Sequence, residues 1–436
     1  MPLPPSLSTP APPRLPQLVA GNHPPEIVGM GALYKLVDGG MPLGKIIEIV
    51  SRQARLHPQH AGMRIDLATL HFMAGSSMRA EAVATRAEAL ARHRVYRVVG
   101  ESGAPDPSRL RLRLLAFVSG EAPRNFLPID FILNGSEVRL DLLYVLPGEP
   151  LPASVPDHDV AMVAVGESEA NQETLRQLIP LAAAWPRPVV NDPARIALLS
   201  RDRVGGLLAG AGGLAVPPTA RISREEALRL AQGSASPAEF LPGERFPVLI
   251  RPLSSHFGRH LQKIDAPEEL PPYLEGCDAQ AFFLSPFVDY RSPDGLYRKY
   301  RIAFIRGRPF LCHLALSTHW MIHYANAGMA GSAEKRAEEE GAMRDFDHGF
   351  ALRHAAAFEE LHSRIGLDYF GIDCGETADG RLLLFEVETA MAIHAHDPVE
   401  IFPYKQAAMR RIFAAFIGML AATATAGEER KTPAPE

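Results

Sequence analysis

The chain has 436 residues, 47% hydrophobic and 22% charged, enough apolar material for packed cores in about two to four domains. Its 45 Lys and Arg against 50 Asp and Glu leave a formal charge of −5 with no marked basic run, which excludes a nucleic-acid binder that works by neutralising phosphates. Cys277, Cys312 and Cys374 lie far apart without CxxC spacing, so neither a disulfide framework nor a cysteine zinc site is expected, and a reducing cytoplasm is the simplest compartment.

The opening MPLPPSLSTPAPPRLP has neither the basic start nor the apolar centre of a signal peptide. Its prolines favour solvated, extended backbone, so residues 1–25 are expected to be a disordered tail. Residues 26–98 read as helical. Ile46-Ile47, Ile49-Val50 and Ala54 recur at the spacing of an amphipathic helix, Ile65 to Met73 form a second helix closed by Gly75, and a third runs from Met78 to Arg94. RLHPQHAGMRIDLATLHFMAGSSMRAEAVATRAEAL resembles a tetratricopeptide unit, but no array of such units follows. A lone pair of hairpins buries its apolar faces poorly alone. It is expected to pack on the rest of the chain, serve a homodimer, or dock a protein partner.

Residues 109–190 switch to strands separated by helix-length segments. LRLLAFV, VRLDLLYV and DVAMVAV precede a helix over Glu173–Ala184, which predicts a small parallel α/β domain. Within 191–424, strands are expected at Val248–Arg251, Ala279–Phe283, Tyr300–Ile305, Phe310–Leu316, Tyr369–Cys374 and Leu382–Val387, the last two joined by a Thr-Ala-Asp-Gly turn. The glycine-bounded, highly charged segment Ala327–Phe350 has little to bury and reads either as a lid or as a solvated helix. IFAAFIGMLAATATA, from Ile412 to Ala426, is shorter than the ~20 residues that cross a bilayer, so a C-terminal core helix is expected and no membrane association. Residues 425–436 are expected to be a second disordered tail.

Three clusters carry chemistry. In GLDYFGIDCGETADGRLLLFEVETAM, Asp373 stands on one strand, and Glu386 and Glu388 on one face of the next. Carboxylates so placed among Leu, Phe and Val suit a hard divalent cation with oxygen ligands, or else form a solvent-exposed polar face. PVLIRPLSSHFGRHLQKI offers Arg251, Ser254, Ser255 and Gly258 in a turn whose small residues let backbone N–H groups approach phosphate; without GK[ST] it is no P-loop. YRKYRIAFIRGRPF places Lys299 and Arg301 on one strand face, either against phosphate or as a basic strand edge.

The order of these pieces resembles the ATP-grasp superfamily over Pro188 to Asp397. The resemblance implies a multidomain α/β and α+β chain: an ATP-grasp fold preceded by a small parallel α/β domain and an α-helical hairpin region. It implies ATP and Mg²⁺ (or Mn²⁺) as cofactors, with small-molecule or peptide carboxylate and amine substrates joined through an acyl-phosphate. Asp373, Glu386 and Glu388 become the metal ligands, with Glu388 where the family usually has Asn. Arg251 and Arg203 stand where lysines commonly face the nucleotide, and Ser254, Ser255 and Gly258 lie in the loop over the phosphates. Gln280, Phe283 and Leu284 lie on the adenine hinge, Asp289 near the ribose, and Arg301 between γ-phosphate and acyl group. Asn326, His394 and His396 fall near the acceptor substrate. Two alternatives stay open, a small-molecule kinase and a nucleotide-binding adaptor without turnover.

Overall fold

The computed structural model describes residues 14–100, 108–120, 127–255 and 258–429. A six-stranded sheet forms the first layer, in the order β2 (Glu26–Ile27), β3 (Val95–Val98), β5 (Val138–Val145), β4 (Leu112–Ser119), β7 (Val160–Val163), β8 (Val189–Val190). β4, β5, β7 and β8 are parallel neighbours, as their continuous apolar runs require of strands covered on both faces. β3 joins antiparallel to β5.

The helical region grows out of this sheet rather than standing apart from it. β2 and β3 bracket α1 (Met30–Asp38), α2 (Leu43–Leu56), α3 (Ala61–Met73) and α4 (Arg79–Arg92). A Cβ on Gly62 would lie 1.8 Å from the Glu26 carbonyl oxygen, so α3 packs this close to β2 only because that residue has no side chain. Two buried carboxylates fix the start of α1: Val28 and Gly29 N–H donate to Asp66 at 2.9 and 3.1 Å, and Gly31 N–H donates to Asp130 at 2.6 Å.

The expected N-terminal tail is also partly ordered. Within 14–25, β1 (Gln17–Val19) pairs in parallel with β6 (Ser154–Pro156), its backbone groups satisfied by a strand that local sequence could not reveal; residues 1–13 lie outside the described residues.

The second half holds two further sheets. The smaller runs β10 (Ala220–Ser223), β13 (Ala281–Pro286), β11 (Val248–Pro252), β12 (Gln262–Ile264), backed by α9 (Arg224–Ala231) and α10 (Leu270–Glu275). The larger runs β15 (Arg308–Ser317), β14 (Tyr297–Ile305), β16 (Tyr369–Glu376), β17 (Leu382–Glu388), β9 (Leu214–Ala215). α5 (Ile129–Leu133), α6 (Gln172–Ala184), α7 (Pro193–Ile196), α8 (Arg201–Leu207), α11 (Ala333–Asp345), α12 (Phe350–Arg353) and α13 (Ala355–Ile365) complete the layers.

α14 (Lys405–Glu429) starts before the predicted apolar run and continues into the expected C-terminal tail; residues 430–436 lie outside the described residues. Its Lys405–Gly427 stretch is long and apolar enough to cross a membrane, so the length argument against a span does not hold. Ile412, Phe416 and Leu420 are nonetheless buried against the cores.

α11 is anchored rather than free, because one carboxylate of the charged segment is buried among partners that all lie outside it. Glu339, 0% exposed, accepts from Tyr324 and Tyr404 hydroxyls at 2.7 Å each and from Leu314 N–H at 3.1 Å. Lys405 lies 3.6 Å from it and 3.2 Å from Asp397, with its ammonium 3.8 Å from the Tyr324 ring centroid. Glu339→Ala is expected to lower stability by about 3–5 kcal/mol, because Lys405 loses a buried counter-charge and three donors lose their acceptor. Denaturant unfolding of the variant measures it, and a loss under about 1 kcal/mol would show that the network does not hold α11.

Candidate functional site

A cleft of about 1090 Å³ lies between the two sheets of the second half and reaches to α1 and α3. Strand alternation decides what faces it. On β11, Leu249 and Arg251 face the cleft while Val248 and Ile250 enter the small core; on β13, Phe283 and Ser285 face it while Phe282 and Leu284 are buried under α9 and α10.

Across the cleft, one row of side chains crosses the larger sheet. His313, Arg301, Asp373 and Glu386 are register partners on β15, β14, β16 and β17. A β-bulge sits on each side of the row's centre, with Cys312 the extra residue on β15 and Phe385 the extra residue on β17. Bulges bend a strand and shift the phase of its side chains, here on β15 at His313 and on β17 at Glu386, on either side of the directly opposed Arg301 and Asp373.

Asp373 is 0% exposed and receives Arg301 at 2.8 and 3.0 Å and the Lys299 ammonium at 2.6 Å. Burial acts to raise its pKa, but the two cations outweigh it and hold the carboxyl well below the usual carboxylate range. Asp373 in turn raises Arg301 despite burial. Burial and the neighbouring Arg301 hold His313 well below the usual imidazole range, so it is neutral.

Glu386 pairs with Arg201 at the start of α8. Glu388, on the same strand face, has no ion pair or hydrogen bond among the described residues, and burial beside Glu386 pushes it up to about 7. Glu167, just past the end of β7, also lines the cleft and is pushed up to about 7 by burial and Glu169.

The loop after β11 closes one side. Arg251 is tied to its own loop, donating to Ser255 Oγ at 3.1 Å and to the Ser255 carbonyl. Ser254, Ser255 and Gly258 line the cleft; residues 256 and 257 lie outside the described residues. Gly258 has φ +67°, and a Cβ there would come 2.4 Å from His323 Nε2, so only glycine lets this loop meet the opposite wall. That His323 nitrogen is buried and has no partner among the described residues.

At the far end, His394 and His396 meet the helical region. His394 Nδ1 accepts from His396 N–H at 3.3 Å, and His396 Nδ1 lies 3.4 Å from Asp38. Burial lowers both imidazoles, so neither carries a full charge near neutral pH.

The cleft thus brings together Arg251, Ser254, Ser255, Gly258, Phe283, Arg301, Asp373, Glu386, Glu388, His394 and His396. Five expected residues stand outside it. Arg203 is exposed and donates to Ala197 O at 3.3 Å; two positions along a helix are about 200° apart, so Arg201 points inward instead. Gln280 is exposed with its amide on Asp278 O, and Leu284 is packed in the small core. Asp289 is exposed and paired with Arg291 at 2.5 Å, and Asn326 caps its own turn by accepting from His323 N–H. Lys299, which the strand alternation placed on the face of Arg301, lines the cleft too, and so do Arg201, Glu167 and His323, which the sequence did not bring forward. Of these last three only Arg201 had a usable signal, the helical phase of SRDR.

The three carboxylates expected to bind a metal do not form a triad. Among the described residues no group of three or more His, Cys, Asp or Glu side chains is gathered as a metal would need. Asp373 is committed to Lys299 and Arg301. Glu386 and Glu388, two apart on one strand face and open to the cleft, are the oxygen donors that fit Mg²⁺, which commonly takes one or two carboxylates with water and phosphate completing its shell.

No protein-family model matches the chain, and neither does any curated protein. Among solved structures, VanG D-Ala:D-Ser ligase from Enterococcus faecalis aligns with 71% of this chain and 100% of its own at 14% identity, with a TM-score of 0.44. D-alanine–D-alanine ligase from Bacillus anthracis, solved with ATP, aligns over 73% and 99% at 12% identity and TM-score 0.42. A RimK domain ATP-grasp protein from Sphaerobacter thermophilus aligns over 72% and 99% at 17% identity and TM-score 0.38. Likeness this distant says nothing about the reaction, which has to be read from the cleft itself.

Glu388 supplies a test that needs no ligand. A folded pKa of about 7 lies above the unfolded carboxylate value, so its contribution is fully present below the unfolded pKa and is lost as pH rises through about 7. In chelator, Glu388→Gln is expected to be nearly neutral at pH 4.5 and to stabilise by about 2–3 kcal/mol at pH 8. Denaturant melts at both pH values check this; equal effects at the two would remove the assignment.

Proposed function

We propose that the chain is an ATP-grasp enzyme that joins a carboxylate to an amine through an acyl-phosphate, releasing ADP and phosphate. One observation carries the reading: cations from two facing sheets, Arg251 on one and Lys299 and Arg301 on the other, converge on a cleft that also holds Glu386 and Glu388. A site for a nucleotide's phosphates and a transferring phosphoryl group needs such opposed charge, and positioning with electrostatics is most of what such a reaction asks of a protein.

In this reading Ser254, Ser255 and Gly258 lie over the phosphates, and Phe283 on β13 faces the base. A bound Mg²⁺, held by Glu386 and Glu388, would screen charge on the phosphate oxygens. Arg301, oriented by Asp373, faces the oxygens where negative charge develops as the substrate carboxylate attacks the γ-phosphorus and ADP leaves. The amine then attacks the acyl carbon, phosphate departs with its bonding pair, and the amine gives up a proton. The neutral cleft histidines, His323, His394 and His396, are the bases at hand.

The commitment of Asp373 to two cations favours a second reading, a protein that holds nucleotide without turnover. Phosphate release from MgATP across pooled acids and amines separates the two. Release that requires both an acid and an amine is expected, with Arg301→Lys lowering kcat about a hundredfold or more. Nucleotide-induced stabilisation with no release from any pool would turn the assignment to the non-catalytic reading.

A further inference from the structure

The cleft is polarised along its length, and its second end has a chemistry of its own. Arg201, Arg251, Lys299 and Arg301 crowd the end between the sheets, whereas the end against the helical region is walled by Met30, Tyr34, Phe72, Met73, Phe131 and His394. The volume of about 1090 Å³ exceeds the roughly 300–1,000 Å³ that commonly holds one ligand, leaving room for a second beside a nucleotide.

The apolar wall is ordered by ring contacts and stays partly exposed. Tyr34 lies 5.6 Å from the Phe131 ring, and Phe131 lies 5.9 Å from His394, while Tyr34 lines the cleft and is 37% exposed. Apolar surface left open in a concavity marks a place for an apolar ligand, and the two flexible methionines can adapt to its shape. Charge at this end is sparse. Asp38 faces neutral His396, and Lys35 on the same helix does not line the cleft. Arg79 lines it with no ion pair or hydrogen bond among the described residues.

We infer that this end is a specificity pocket for the amine substrate, which is an amino acid or short peptide with a large apolar side chain, aromatic or branched. Its side chain lies on the Tyr34–Phe72–Phe131 wall, and its carboxylate, unreacted in amide formation, meets Arg79. The inference rests on the ligase reading for what happens to the amine, but not for the binding of the side chain.

The test measures binding and turnover separately on the full chain. Calorimetric titration with MgATP present compares phenylalanine, leucine, alanine, glycine and phenethylamine, and mass spectrometry reads amide products from the same amines with the acid pools. Phenylalanine and leucine are expected to bind and react about tenfold or more better than alanine or glycine. Tyr34→Ala and Phe72→Ala should each erode that preference, mainly through KM. Arg79→Gln should weaken phenylalanine while leaving phenethylamine unchanged, an outcome that general damage to the fold would not produce. Alanine or glycine used as well as phenylalanine, or a preference untouched by all three variants, overturns the pocket. Phenylalanine that binds with the expected preference but forms no amide overturns the ligase reading and leaves the pocket standing.

Discussion

The pairing of Asp373 with Lys299 and Arg301 is the constraint on which the rest of the site depends. A carboxylate with no exposure on a strand of Tyr, Phe, Ile and Cys is affordable only with its counter-charges in place. Both counter-charges come from the neighbouring strand, two positions apart, so β14 and β16 are locked in one register: a slip of one residue would carry Lys299 and Arg301 to the opposite face and strand the carboxylate. Fixing β14 against β16 also fixes where Glu386 arrives on β17, because the same row continues into it. Arg301 is thereby oriented before any ligand arrives, which is the condition under which a charge can stabilise a developing anion without reorganising.

Much of this was legible in the sequence, and the reason is local. The β16–β17 hairpin shows in its apolar runs and its Thr-Ala-Asp-Gly turn, and the two carboxylates of Glu-Val-Glu must share a face once that stretch is a strand. The apolar strands of the first sheet read directly because both their faces are covered. What could not be read depends on pairings distant in the chain. Nothing near Gln17 says that it pairs with Ser154, and nothing near Asp373 says that cations from β14 take both its oxygens. The bulges at Cys312 and Phe385 shift side-chain phase without any local mark, since neither residue is a glycine or proline. Arg203 against Arg201 is a different kind of error. Motif position chose one arginine, while the helical period, visible in the same residues, placed the other in the cleft.

The helical region packs on the rest of the chain, one of the outcomes expected of it, through pairings that its composition does not show. Its helices are amphipathic and its alanines small, as in a free-standing helical repeat, but β2 and β3 stitch it into the first sheet, and Asp66 and Asp130 pin the start of α1. Both carboxylates are raised by burial, Asp66 to about 7, with backbone N–H donors working against that rise. A helix start held by two desolvated carboxylates is a costly arrangement for mere coverage of a core, since apolar residues would cover it as well. It makes sense where the position of the helix matters. The residues α1 brings into the cleft, Met30, Tyr34 and Asp38, lie on the helix those carboxylates orient.

The same logic joins the two ends of the molecule. Lys405, at the start of α14, reaches Asp397 in the loop that carries His394 and His396, and shares its burial with Glu339 of α11. His396 then meets Asp38 at the end of α1, so the loop beyond β17 is held from one side by the C-terminal helix and from the other by the helical region. A loop leaving the strand of Glu386 and Glu388 would otherwise be among the most mobile parts of such a cleft. Held at both ends, it sets the distance between the charged end and the apolar end. With that distance fixed, the cleft can discriminate by the length and shape of what spans it, and not by charge alone.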